Sequence, residues 1–154
     1  MGYDLHITRQ SYWAAKEGPE IALEEWLAVV NSDPELTWSE LNRSTSPYMA
    51  DWSGPGKYPC WLDHDRGEIY TKNPTDEMTE KMVQIAKLLS AVVQGDDGEE
   101  YLEDGYVAAF EYDGQNVRRV LRRIGSKTSE PHTMDTRLKC ATAPSRGTQG
   151  ISRS

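Results

Sequence analysis

Charge is distributed unevenly along this chain of 154 residues, and the unevenness constrains how it can fold. Residues 1–114 contain 23 Asp and Glu against 8 Lys and Arg, whereas residues 115–154 contain 2 against 9. The two parts therefore carry −15 and +7, which together give the net charge of −8. Such a separation is typical of an acidic folded body with a basic appendage. It favours contact with a charged macromolecule over small-molecule chemistry.

The length predicts one domain with a substantial core, because a chain of this size removes roughly two-thirds of its unfolded surface from water. The apolar content of 37% is low, but five Trp and eight Tyr supply large buried areas. Apolar runs fall short of the roughly 18 residues that a membrane-spanning helix needs, and the N-terminus does not read as a secretory signal. With only Cys60 and Cys140 present, we expect a reduced, cytoplasmic protein.

The first third of the chain predicts one strand and one helix. Apolar Tyr3, Leu5 and Ile7 alternate with polar residues, which predicts a strand with one face on the core and with His6 on the outer, exposed face. An apolar stripe at helical spacing then predicts a helix that ends near Asn31. The stripe consists of Leu23, Trp26, Leu27 and Val30.

The middle of the chain predicts a short strand or a turn over 37–41 and a strand over 48–52, followed by a hairpin and a second helix. Residues 60–63 and 68–71 flank a polar turn in which Gly67 is expected to be left-handed. Asn73 is the predicted N-cap of the second helix, with a proline at its first position. The buried stripe of that helix is expected to contain Met78, Met82, Ile85 and Leu89.

Two further strands are predicted over 91–94 and 106–112. Beyond them, four arginines lie opposite an apolar stripe, which predicts a short basic helix over 115–125. Few large apolar residues follow, so a flexible tail is expected over 126–154. The predicted organisation is a single α+β domain in residues 1–114, with an antiparallel sheet packed against two main helices, followed by the basic helix and the tail.

Four segments are similar to a known group of proteins. They are MGYDLHITR at 1–9, EEWL at 24–27, YTKNP at 70–74 and VQGDDG at 93–98. Over residues 1 to about 100 the chain thereby resembles small, uncharacterised bacterial cytoplasmic proteins. Short acidic proteins of this kind are suspected immunity partners of secreted toxins. The resemblance therefore implies a toxin-immunity role.

One acidic group carries metal-ligand residue types. Asp63, His64, Asp65 and Glu68 lie close in sequence, but neighbours on a strand point to opposite faces, so that at most Asp63 and Asp65 converge. The acidic run 96–100 is too short for a calcium loop, which spans about twelve residues. Acidic turns explain both groups, and the sequence predicts no metal site.

His6 is a candidate general base, because Asp4 lies beside it on the same face of the predicted strand. A nucleophilic Ser or Cys in a recognisable motif is missing from the sequence, however. A surface histidine on a polar strand face is the simpler interpretation. We therefore expect a protein that is not an enzyme and that uses no cofactor.

Aromatic and acidic residues in irregular segments form the predicted partner-binding surface. Trp and Tyr dominate interface energetics, and binding residues concentrate in loops and turns. Nuclease toxins present basic clefts for phosphate, so an acidic protein can be steered onto such a cleft and block it. The candidate residues are Asp51, Trp52, Trp61, Asp63, Asp65, Asp96, Asp97, Glu99 and Glu100.

The favoured function is therefore an immunity protein that occludes a cognate bacterial toxin. One alternative is a small metal-dependent hydrolase that uses His6, Asp63, His64 and Asp65. Another is a regulatory adaptor whose basic segment contacts nucleic acid or an acidic protein through Arg118, Arg119, Arg122 and Arg123. The acidic body argues against stable nucleic-acid binding. No membrane contact is predicted, and the oligomeric state stays open.

Overall fold

The computed structural model describes residues 2–15, 17–56 and 60–123. The chain divides into two compact units, the first ending at Gly105 and the second beginning at Tyr106. The first unit contains β1 (Asp4–Thr8), α1 (Leu23–Ser32), β2 (Leu36–Trp38), β3 (Met49–Trp52), β4 (Cys60–Asp65), β5 (Glu68–Lys72), α2 (Asp76–Leu88), β6 (Val92–Gly95) and β7 (Glu100–Tyr101), followed by a short 3-10 turn at Glu103–Gly105.

The strands of the first unit form an antiparallel sheet in the order β2-β3-β4-β5-β1-β6-β7. The predicted α+β class, with an antiparallel sheet and two main helices, is confirmed. The N-terminal strand β1 lies between β5 and β6, so its neighbours come from the middle of the chain. No helix in the described residues is long and apolar enough to span a membrane.

The core lies between the two helices and one face of the sheet. Alternate residues of the central strands supply this face, including Leu5, Ile7, Leu62, Ile69 and Val93. The helix α1 contributes Trp26, which is fully buried and donates from Nε1 to the Tyr48 carbonyl at 2.8 Å. The predicted stripe of α2 is confirmed, because all four of its residues are buried.

The first strand is buried on both faces, which the sequence analysis did not predict. Leu5 and Ile7 face the core as expected, but His6 and Thr8 are only 3% and 2% exposed. The prediction of a surface histidine is therefore wrong. His6 is buried because the loop after β1 folds back and places Trp13 on the His6 ring.

The turn between β4 and β5 follows the prediction. Arg66 and Gly67 have φ values of 53° and 81°, which join the two strands by a tight two-residue turn. A Cβ atom at Gly67 would also lie 2.6 Å from Cγ of Glu20. Both backbone conformation and lack of space therefore require glycine at this position.

The start of α2 differs from the prediction. Thr75, not Asn73, is the N-cap, and its Oγ1 accepts from the Met78 N–H at 3.1 Å. Asn73 has a φ of 49° and pairs with the N-terminal strand instead, because its Oδ1 accepts from the Tyr3 N–H at 3.0 Å. The proline at 74 consequently precedes the cap rather than opening the helix.

The second unit is a hairpin of β8 (Tyr106–Tyr112) and β9 (Val117–Arg123). The predicted strand over 106–112 is confirmed, but the predicted helix over 115–125 is wrong where the structure describes it. Residues 124–125 and the predicted tail over 126–154 lie outside the described residues. The predicted domain boundary after Gly114 falls within the hairpin turn.

Physical chemistry explains why this segment is a strand. A seven-residue helix is marginal by itself, and arginines four residues apart would repel along its face. In the hairpin, Arg122 instead pairs with Glu111 on the neighbouring strand. The Arg123 guanidinium lies 5.4 Å from the centre of the Tyr106 ring. Cross-strand pairing thus satisfies charges that a helix would leave in repulsion.

Candidate functional site

The sheet face opposite the two helices, here called the polar face, carries most of the polar residues of the strands. Strand register places one row of residues across it, made of Met49, Asp63, Tyr70, His6, Gln94 and Glu100. Within β1–β7 this face holds six carboxylates and one lysine, namely Asp4, Asp51, Asp63, Asp65, Glu68, Glu100 and Lys72. The polar face is therefore strongly acidic.

His6 lies at the centre of this face between two carboxylates. Its Nδ1 is 3.2 Å from both Oε1 and Oε2 of Glu68, and its Nε2 is 3.4 Å from Oδ1 of Asp96. The His6 side chain is only 4% exposed, whereas those of Glu68 and Asp96 are 19% and 36% exposed. A nearly buried imidazole is thus connected to solvent through carboxylates.

Trp13 covers the imidazole. The two rings stack with their centres 3.8 Å apart and their planes 7° from parallel. The Trp13 backbone N–H donates to Oε1 of Gln94 at 2.8 Å, and the indole Nε1 donates to the Asp96 carbonyl at 3.2 Å. Gln94 in turn donates to the Ser11 carbonyl at 2.9 Å. These bonds hold the loop after β1 across the polar face.

Asp4 completes a group that could hold a metal ion. It lies two residues before His6 on the same face, and its backbone N–H donates to Oδ2 of Asp96 at 3.1 Å. One ligand atom from each of Asp4, His6 and Asp96 lies within 4.8 Å of the others. Lys72 forms an ion pair with the Asp4 carboxylate at 3.1 Å. We call Asp4, His6, Glu68 and Asp96 the His6 cluster.

A second group on the polar face is aromatic. The rings of Trp61 and Tyr70 pack edge to face with their centres 5.6 Å apart, and both side chains are half-buried. Asp51 lies opposite Trp61 in the register of β3 and β4, and Asp63 lies opposite Tyr70. Burial raises the pKa of the Asp63 carboxyl, although a hydrogen bond from Ser46 opposes the shift. Burial and the nearby aspartates also raise the pKa of the Tyr70 phenol.

The predicted partner-binding residues divide among three environments. Trp61 belongs to the aromatic pair, Asp51 and Asp65 lie beside that pair, and Asp63 is buried among them at 7% exposure. Trp52 is different, because it lies in the core at 7% exposure and donates from Nε1 to Glu35 at 3.1 Å.

The remaining four candidates belong to the β6–β7 region. Asp96 joins the His6 cluster, and Asp97 is exposed beside it. Glu99 accepts from the Tyr101 hydroxyl at 3.3 Å. Burial, reinforced by Glu99, raises the pKa of that Tyr101 phenol. Glu100 continues the row on the polar face.

The histidines separate as strand geometry predicts. His64 lies on the opposite side of β4 from Asp63 and Asp65, and its Nε2 is 2.8 Å from the Ile21 carbonyl. The four residues of the hydrolase alternative are therefore not brought together. Gln94 was not among the predicted site residues, although its polarity in an otherwise apolar strand was an available signal. The contact of Asp96 with His6 was not predicted either, because it depends on the pairing of β1 with β6.

No family model, curated protein or solved structure matches this chain. A functional interpretation therefore depends on the geometry of the polar face alone. It offers an acidic sheet face with a half-buried aromatic pair, which suits a basic macromolecular partner. It also offers an imidazole held between carboxylates, which are ligand types for a divalent metal cation.

Proposed function

We propose that this protein is an immunity protein that binds a cognate bacterial toxin through the polar face and occludes the toxin's active site. The observation that carries the proposal is the Trp61–Tyr70 pair, which is half-buried and surrounded by carboxylates. An aromatic centre with a charged surround is the arrangement that concentrates binding energy in protein interfaces.

Charge supports a basic partner. The six carboxylates of the polar face are opposed by Lys72 alone among the residues of β1–β7 on that face. A toxin that binds phosphate, such as a nuclease, presents a basic cleft that such a face attracts over several ångströms. In the proposed interaction, the charges increase the association rate, and the aromatic pair lowers the dissociation rate.

The test compares two variants with the same change in charge. The first is Asp51→Asn with Asp65→Asn, on the polar face around Trp61. The matched control is Glu24→Gln with Glu80→Gln, at exposed positions on the helices. Each protein is expressed with the products of its neighbouring genes and captured by an affinity tag. The captured partner is then purified and its binding kinetics are measured.

We expect a stoichiometric basic toxin whose activity is lost in the complex. The polar-face variant should bind it at least tenfold more weakly at low salt, which corresponds to about 1.4 kcal/mol. Most of the loss should lie in the association rate, and the helix variant should bind as the original protein does. Equal binding by the two variants, or a partner that remains active when bound, would contradict the proposal.

The Trp61→Ala variant tests the aromatic centre separately. Because the aromatic contribution is not screened by salt, its loss should accelerate dissociation at both low and high salt. A Trp61→Phe variant retains an aromatic ring and serves as the control for folding. Similar dissociation rates for all three proteins would place the binding energy elsewhere on the surface.

A further inference from the structure

We propose that Asp4, His6 and Asp96 bind one divalent transition-metal ion, with Glu68 positioning the imidazole. The proposal does not depend on the partner suggested above. It concerns cation binding rather than a reaction, and it rests on the arrangement of four side chains from three parts of the chain.

The three ligand residues converge from two parts of the chain. Asp4 and His6 project from the same face of β1, and Asp96 comes from the turn after β6. Their ligand atoms lie within 4.8 Å of one another. Bonds of about 2.0–2.2 Å to a tetrahedral zinc-sized ion place neighbouring ligand atoms about 3.3–3.6 Å apart. The 3.4 Å between Nε2 of His6 and Oδ1 of Asp96 already matches this separation, and a movement of about 1 Å would bring any more distant ligand atom into place.

The two nitrogens of His6 face different carboxylates. A carboxylate only accepts hydrogen bonds, so the two 3.2 Å contacts to Glu68 place a hydrogen on Nδ1. In a neutral ring, Nε2 then carries a lone pair and lies 3.4 Å from the Asp96 Oδ1 acceptor. Two acceptors facing each other beside a 96%-buried ring are unfavourable unless a proton or a metal ion lies between them.

Neighbouring groups hold His6 and Asp96 in place. In metal sites, a ligating histidine usually donates its second N–H to a carboxylate, which is the role that Glu68 occupies. Stacking on Trp13 fixes the plane of the ring, and the Asp4 N–H fixes the Asp96 carboxylate. His6 and Asp96 are therefore oriented before an ion arrives, which lowers the cost of binding.

The site also has a route for an ion. The side chains of Asp4 and Asp96 are 23% and 36% exposed, so water can complete the coordination from the solvent side. Lys72 is paired with Asp4, but its side chain is 54% exposed and can move into solvent. One imidazole nitrogen and two carboxylates suit zinc or manganese better than calcium, which prefers oxygen ligands alone.

The competing explanation is a proton. An imidazolium ion would donate from both nitrogens, to Glu68 and to Asp96, and would satisfy the same geometry without a metal. The two explanations differ in whether an added metal ion displaces the hydrogen from Nε2. Nitrogen-15 NMR of the imidazole observes this directly, because a metal-bound nitrogen and a protonated nitrogen have different chemical shifts.

The experiment titrates metal-free protein with Zn²⁺ and, separately, with Mn²⁺ in a calorimeter. Asp96→Asn removes one ligand, while Asp97→Asn makes the same charge change at the exposed neighbour. We expect one ion per chain, a loss of affinity of at least tenfold for Asp96→Asn and unchanged affinity for Asp97→Asn. Glu68→Gln should retain the stoichiometry with a 10- to 100-fold lower affinity.

On NMR, Zn²⁺ should shift Nε2 of His6 and leave Nδ1 protonated. The original protein and its variants are compared by circular dichroism, and Asp96→Asn is replaced by Asp96→Ser if the first variant unfolds. The proposal is overturned if neither ion binds at millimolar concentration, or if Asp96 and Asp97 variants bind equally. It is also overturned if both His6 nitrogens remain protonated with saturating Zn²⁺.

Discussion

At the scale of single residues, an ion pair joins the loop after β1 to the first turn of α1. The Arg9 guanidinium contacts both carboxylate oxygens of Glu25, with Nη1–Oε2 at 2.9 Å and Nη2–Oε1 at 2.5 Å. Glu25 Oε2 also accepts from the Ala22 N–H at 3.0 Å. The Arg9 hydrogen bonds, followed by the Ala22 hydrogen bond, lower the pKa of Glu25 to about 2 from its ordinary 4.5.

This shift predicts a pH dependence. Because the folded-state pKa is depressed, the stabilisation by Glu25 is present above pH 4.5 and is lost as the pH falls towards 2. The Glu25→Gln variant should therefore lose less stability than the original protein between these pH values. Urea unfolding at several pH values measures the difference, with Glu24→Gln as the neighbouring control. Parallel pH profiles for the original protein and Glu25→Gln would contradict the prediction.

Gly95 is a second residue whose environment gives a prediction. A Cβ atom there would lie 2.0 Å from Oη of Tyr3 and 2.1 Å from Oε2 of Glu99. Gly95→Ala should therefore lower the free energy of unfolding by about 1–3 kcal/mol. Urea unfolding should show a smaller loss in a Tyr3→Phe background, because one of the clashing atoms is absent. An equal loss in both backgrounds would place the strain elsewhere.

At the scale of elements, the α2 N-cap provides a direct test of the corrected helix start. Thr75→Ala removes the acceptor for the Met78 N–H and should cost about 1 kcal/mol of unfolding free energy. Thr75→Ser keeps the hydroxyl and should cost much less. Thermal and urea unfolding measure both variants. A large loss in Thr75→Ser as well would mean that the threonine methyl group, rather than the cap, is responsible.

Helices, strands and turns were predictable from the sequence where the residue pattern was compatible with only one type of secondary structure. The stripe of α2 repeats over three turns, and Gly67 marks the turn between β4 and β5, so local chemistry determined both. Residues 117–123 instead fit two periods, because Val117, Val120 and Leu121 suit a short helix or a strand. Residues 117–123 form a strand because they pair with β8. The periodicity of a single sequence does not show which segments pair with each other.

At the scale of the whole molecule, the charge asymmetry gives a prediction for the proposed interaction. Residues 124–154 contain five basic and two acidic residues, so a chain ending at Arg123 has a net charge of −11 instead of −8. If the polar face binds a basic toxin, this truncated chain should associate at least as fast as the full chain at low salt. Stopped-flow association rates at two salt concentrations test this. A markedly slower association would mean that residues 124–154 take part in the interaction.

The candidate site was less predictable than the fold, because its residues meet only through distant pairings. The sequence indicated acidic turns and aromatic loops, and Asp51 and Asp65 do lie beside the aromatic pair that Trp61 forms with Tyr70. The burial of His6 depended on Trp13 and Gln94, which are 81 residues apart. Side-chain docking over such a separation leaves no periodic signal in the sequence.

The central position of β1 has a consequence for synthesis in the cell. Leu5 pairs with Thr71 and with Gly95, which lie 66 and 90 residues later in the chain. At about 5–20 residues per second, roughly 5–18 s pass between synthesis of Leu5 and of its last partner. The apolar side of the N-terminal segment thus waits without its sheet neighbours, and a chaperone that binds nascent chains should recognise this segment before the others.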